Sequence, residues 1–136
     1  MPLWKKNYYI NWGNGVGKRT LKRILLEAKP YKFSGVGLVN SRAQKPVEQH
    51  GCTYFFVRIE DILQLICNSQ MIEWGNYNDR LYGTTVESVQ QIVRSGGFCV
   101  LDCSTKTITS LYNSEFMPFT VIVAAPELNE LIKLDE

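Results

Sequence analysis

A chain of 136 residues, 45% hydrophobic and 21% charged, has the composition of a globular domain long enough to bury an ordinary core without disulfides or a structural metal. Fifteen lysines and arginines against thirteen aspartates and glutamates leave a formal charge of +2, and the basic residues are scattered, which argues against bulk nucleic-acid binding. No apolar run approaches the roughly 20 residues that span a bilayer, and Met1-Pro2-Leu3-Trp4-Lys5-Lys6 lacks the apolar stretch of a signal peptide, so the chain reads as intracellular.

In chain order, Asn7 to Asn11 reads as a short strand, followed by Gly13-Asn14-Gly15-Val16-Gly17 and a helix from about Lys18 to Ala28 that Pro30 ends. Leu21, Ile24, Leu25 and Ala28 give that helix one apolar face. A polar, turn-rich stretch from Ser34 to Gly51 leads to a strand at Tyr54-Phe55-Phe56-Val57. Ile59 to Ser69 has helical spacing, with Glu60 and Asp61 suited to the positive end of the helix dipole. Met71 to Tyr77 is strand-like, Asn78-Asp79-Arg80 is a turn, and Thr84-Thr85-Val86-Glu87 carries the spacing of a capping box for a helix to about Ser95. Phe98 to Asp102 and Thr120 to Ala125 are apolar runs of the kind buried on both faces of a parallel sheet, with a short crossover helix at about Thr105 to Leu111. The alternation predicts an α/β fold with Phe55, Phe56, Trp74, Leu101, Val121 and Val123 in its core.

The cysteines Cys52, Cys67, Cys99 and Cys103 form no CxxC pair and sit in apolar company, which predicts buried reduced thiols. With His50 the only histidine, a zinc cluster or a histidine-based triad has little to work with, and neither metal nor cofactor is expected. The chemistry-bearing motif is Gly13, Gly15, Gly17 and Lys18, a glycine-rich turn before a helix, where backbone N–H groups surround phosphates and a lysine reaches the terminal one. It is degenerate. Standard spacing puts a glycine at Trp12 and a magnesium-binding hydroxyl at Arg19, and Thr20 comes one position late, rotated by about 100° on the helix. Taken alone, the motif equally suits a plain turn capping a helix.

Longer stretches carry more. Gly15-Val16-Gly17-Lys18-Arg19-Thr20-Leu21-Lys22-Arg23, Gly51-Cys52-Thr53-Tyr54-Phe55-Phe56-Val57, Ile72-Glu73-Trp74-Gly75-Asn76-Tyr77, Leu81-Tyr82-Gly83-Thr84, Cys99-Val100-Leu101-Asp102, Ser114-Glu115-Phe116-Met117-Pro118-Phe119 and Ala124-Ala125-Pro126-Glu127-Leu128 follow one another in the chain. In order and wording the chain resembles the guanylate kinase domain of the membrane-associated guanylate kinase homologues (MAGUK), particularly their palmitoylated membrane-protein subgroup. The resemblance implies a P-loop-type parallel-sheet core and an inserted monophosphate-binding-like subdomain at about residues 34–83. It also implies a lid and C-terminal segments for which Leu128 to Leu134 leaves too little chain.

The resemblance assigns a site as well. Arg42 and Lys45 stand where two arginines grip the monophosphate, and Tyr54 and Tyr82 where two hydroxyls bond it. Glu73 and Thr84 match the guanine-reading carboxylate and hydroxyl, whereas Val39 stands where a serine is expected and Ser104 where the enzymes have a second acid. On residue type alone, Arg42 and Lys45 equally suit solvated surface charges, Tyr54 and Tyr82 ring packing, and Thr84 a helix cap. Asp102 suits either the acidic end of a buried strand near a nucleotide metal or a turn initiator, and without a hydroxyl at Arg19 the second is favoured.

With the phosphate half kept and half the base readers gone, the resemblance implies a catalytically inactive interaction module that binds phosphorylated protein partners through the former GMP site. Its setting would be a scaffold with SH3 and PDZ neighbours, brought indirectly to the inner face of the plasma membrane or to cell junctions, and its exposed apolar surface would favour self-association. The rivals are an active guanylate kinase transferring phosphate from ATP to GMP, and a destabilised product with no binding role.

Overall fold

The structure is a computed structural model that describes residues 7–11, for which the backbone alone is considered, 17–51, 54–124 and 127. The expected glycines Gly13 and Gly15, with Trp12, Cys52, Ala125 and the segment Leu128 to Leu134, lie outside the described residues.

Two four-stranded sheets organise the chain. The first is all parallel, in the order β2 (Phe33–Gly35), β7 (Phe98–Asp102), β1 (Asn7–Asn11), β8 (Pro118–Ile122). Parallel neighbours need crossovers, and α1 (Lys18–Ala28) makes the one from β1 to β2 while α4 (Thr105–Leu111) lies between β7 and β8. As its continuous apolar run demanded, β7 is covered on both faces. Cys99 and Leu101 pack with Val89 of α3 (Val86–Arg94), Leu111 and Phe116, while Val100 packs with Phe33, Leu25 and Leu26. Burial pushes the Cys99 and Cys103 thiols up to about 12, so both are inert. Cys67 is exposed, contrary to expectation.

The second sheet runs β4 (Tyr54–Phe56), β3 (Leu38–Asn40), β6 (Arg80–Thr85), β5 (Met71–Tyr77) and is mixed: β3 and β4 are parallel, whereas β6 is antiparallel to both β3 and β5. The helix α2 (Ile59–Cys67) covers one face, with Ile62 fully buried among Val39, Leu81, Phe55 and Met71. The other face carries the site.

Several expectations need correction. The turn-rich stretch holds β2 and β3, three-residue strands too short to show alternation. Arg80 opens β6, because Asn78 and Asp79 alone make the turn, both at positive φ (50° and 57°), as a two-residue hairpin connection requires. The cap of α3 is Thr85, whose Oγ1 accepts from the Ser88 N–H at 3.1 Å, so Thr84 is not the helix cap. Trp74 is 52% exposed and Val121 38% exposed, so neither is core: β8 is an edge strand, and its outward side chains gain no second layer among the described residues.

Where β5 crosses closest over β6, only glycine fits. A Cβ on Gly83 would stand 2.2 Å from Met71 Cε and 2.5 Å from the Glu73 carbonyl oxygen, and the latter is backbone that cannot step aside. Gly83→Ala is expected to cost about 1–3 kcal/mol in urea denaturation, whereas Gly75→Ala, with open space at its Cβ, serves as a nearly neutral control. Alkylation followed by peptide mapping is expected to label Cys67 in the native protein, and Cys99 and Cys103 only on unfolding.

Candidate phosphate-binding site

Strand pairing sorts the candidate residues before any contact is considered. Residues directly opposite in adjacent strands share a face, and Asn40 stands opposite both Phe56 and Tyr82, Tyr82 opposite Gly75, and Thr84 opposite Glu73. Tyr54, Phe56, Asn40, Tyr82, Thr84 and Glu73 therefore line the face away from α2. Val39 does not. It is buried on the α2 side, so the position where a serine was expected does not face the other candidate residues.

Just past β3 the chain turns, held by Ser41, whose N–H donates to the Leu81 carbonyl and whose Oγ accepts from the Leu81 N–H. This turn swings Arg42 back over the sheet. Its guanidinium carbon lies 5.3 Å from the Tyr54 ring centroid and 5.2 Å from that of Phe56, within cation–π range of both. Phe56, expected as core, is the second half of this aromatic platform.

The fork of Arg42 is already engaged. Nη1 donates to Glu48 Oε2 at 2.7 Å, Nη2 donates to Glu48 Oε1, and the Lys45 N–H donates to Oε2 at 2.8 Å. The hydrogen bonds from Arg42 and then from the Lys45 backbone hold the Glu48 carboxyl down to about 2 from its ordinary 4.5, and the same bond raises Arg42, with smaller contributions from Tyr82 and Tyr54. Arg42 is thus no solvated surface charge. Lys45 is exposed beside it.

Glu73 meets its partner from the other sheet: Oε1 accepts the Ser104 N–H at 3.1 Å, immediately beyond β7. Ser104, where an acid was expected, caps α4 through its Oγ to the Thr107 N–H. Thr84 is buried opposite Glu73.

The glycine-loop side is separate. Gly17 caps α1 at φ 86° without a side-chain bond, and Lys18 Nζ lies 3.4 Å from Asp102 Oδ1 at the end of β7. Asp102 is therefore an ion-pair partner across the sheet, not the simple turn initiator its position suggested. Among the described residues no three side chains could hold a metal together. The structure brings Arg42, Tyr54 and Tyr82 together, aligns Glu73 and Thr84 on the same face, and leaves Lys18 at the start of α1 beside the first sheet.

The sequence profile described as Guanylate kinase matches residues 5–135, nearly the whole chain. The chain belongs to the guanylate kinase family. It is 34% identical over 130 residues to Protein PALS2 of Homo sapiens, 32% identical over 130 residues to MAGUK p55 subfamily member 2 of Rattus norvegicus, and 31% identical over 124 residues to Protein lin-2 of Caenorhabditis elegans. These alignments cover 96%, 96% and 91% of this chain but 24%, 24% and 13% of the relatives, so this guanylate kinase-like domain spans about a quarter or less of their length. A solved guanylate kinase from Anaplasma phagocytophilum superposes with a TM-score of 0.57 at 18% identity, covering 94% of this chain and 64% of that one, which shows the shared fold.

Glu48 and Asn40 escaped the sequence reading. Glu48 follows Arg42 by six residues inside a polar loop, a spacing that signals nothing until the loop closes. Carbon-detected NMR titration is expected to place the Glu48 midpoint at about 2, and Arg42→Ala to raise it toward the ordinary carboxylate range, with the Lys45 N–H still holding it below. Because the folded value is depressed, the stability Glu48 contributes is complete above its unfolded value and is lost as pH falls through the folded one; Glu48→Gln should remove that part of the acid limb.

Proposed function

We propose that this guanylate kinase-like domain is a catalytically inactive interaction module of a membrane-associated scaffold, binding phosphorylated protein partners through the open face of its second sheet. The observation that carries the reading is the Arg42 guanidinium, stacked on Tyr54 and Phe56 with Tyr82 beside it. A planar fork that already receives a carboxylate with two bonds has the geometry for phosphate oxygens, and Lys45 adds charge without a fork. The relatives PALS2 and lin-2 support a scaffold role, with protein partners and indirect membrane association. Among the described residues no helix is long and apolar enough to cross a membrane.

The transfer side lacks equivalent support. Lys18 is drawn to Asp102, Arg19 stands where the metal-binding hydroxyl belongs, and Trp12 replaces a loop glycine. No formation of GDP and ADP from GMP and ATP is expected in a coupled assay; turnover abolished by Lys18→Ala would establish the enzyme instead.

Binding separates the two halves of the molecule. Arg42→Ala should weaken phosphoserine peptides about ten-fold or more, since each charge-assisted bond contributes about 1.5–3 kcal/mol. Lys45→Arg should hold or improve affinity, and Lys18→Ala should change it little. Calorimetric titration in which Lys18→Ala abolishes binding while Arg42→Ala leaves it intact would place the ligand at the glycine loop and refute the proposal.

A further inference from the structure

Asn40 is fully buried, and its Nδ2 has no hydrogen-bond partner, the one buried side-chain nitrogen or oxygen so left among the described residues. Its orientation is fixed chemically: the Arg42 N–H donates to the other end of the amide at 2.9 Å, so the atom facing that donor must be Oδ1 and the orphan must be the NH₂ group. An unsatisfied buried donor ordinarily costs about 1–3 kcal/mol, and a leucine would fill a buried strand position without it. The pairing of β3 sets Asn40 between Phe56 and Tyr82 on the site face, beneath the segment that carries Arg42. The same face carries groups suited to an anion: the Arg42 fork over the Tyr54 and Phe56 rings, and the hydroxyl-bearing Tyr54 and Tyr82. The one carboxylate in the cluster, Glu48, is committed to the fork and the Lys45 N–H.

We propose that Asn40 is a ligand-binding residue of this site, its Nδ2 donating to an oxygen of a phosphoryl group that takes the Arg42 fork over from Glu48. Glu48 is then a built-in anion, holding the fork closed over the platform while no ligand is present. Displacement exchanges one bidentate carboxylate for a phosphoryl group of higher charge with three acceptor oxygens, and the third oxygen satisfies the orphaned amide. The domain discriminates by this means against mere carboxylates, which repeat what Glu48 already does and leave Asn40 unpaired. Phosphate-bearing ligands bind despite the internal competitor. The inference rests on the phospho-ligand reading of the site.

The test is a titration of the full ¹⁵N-labelled chain with inorganic phosphate and with O-phosphoserine, acetate serving as the carboxylate control. The Asn40 side-chain NH₂ resonances are expected to move downfield with phosphate and phosphoserine and to stay still with acetate. Glu48→Gln should tighten phosphate several-fold, and Asn40→Ala should weaken it about ten-fold. Asn40→Asp keeps the acceptor for the Arg42 N–H but turns the donor into a negative oxygen, so it should weaken phosphate further still. Where a variant at 40 fails to fold, the amide resonances of the unmodified chain decide alone. Loss of phosphate affinity in Arg42→Ala with unmoved Asn40 resonances would overturn the role of Asn40 and leave the site reading intact. Affinity unchanged in Arg42→Ala would overturn both.

Discussion

The placement of β6 between two antiparallel neighbours is the constraint on which the site depends. A strand offers alternate residues to opposite faces, so β6 sends Leu81 into the α2 cluster while Tyr82 and Thr84 stand on the open face. A slip of one residue would exchange these sets and destroy core and site together. Gly83 fixes the approach of β5, the Asn78-Asp79 turn fixes the register, and Thr85 ends the strand by capping α3. One short segment thus ties the binding face to the helix that covers the first sheet.

The two sheets are joined by contacts that serve both packing and position. Ile72 of β5 packs against the cluster around Val89 and Leu101, and the adjacent Glu73 takes the Ser104 N–H. The carboxylate is thereby satisfied by a backbone donor. The same bond gives Glu73 a structural use, tying β5 to the segment just beyond β7.

The surroundings of Arg42 differ. Its fork carries an internal carboxylate beside Tyr54 and Tyr82, and a buried amide nearby remains unsatisfied. Lys18 at the start of α1 is paired with Asp102 at the end of β7. The Arg42 fork and the Lys18 ammonium are thus each balanced by a carboxylate of the chain.

Local pattern determined much of this protein. The span of α1, the start of α2, the bounds of β5 and the double burial of β7 were legible because periodicity, proline and capping signals act over a few residues. The family was legible from the order of short motifs, and the resemblance singled out Arg42, Tyr54, Glu73, Tyr82 and Thr84 as candidates. Tertiary structure alone decided what each of these touches. The three-residue strands β2 and β3 exist only because neighbouring strands supply their hydrogen bonds, and β8 turned out an edge because apolar sequence cannot report how many layers cover it. The pairings Arg42 with Glu48, Glu73 with Ser104 and Lys18 with Asp102 join residues through loop closure or across sheets, where sequence separation carries no distance. Asn40 is the plainest case: nothing in its neighbours' identities shows an orphaned donor, since a missing partner is a property of three-dimensional surroundings and not of the chain.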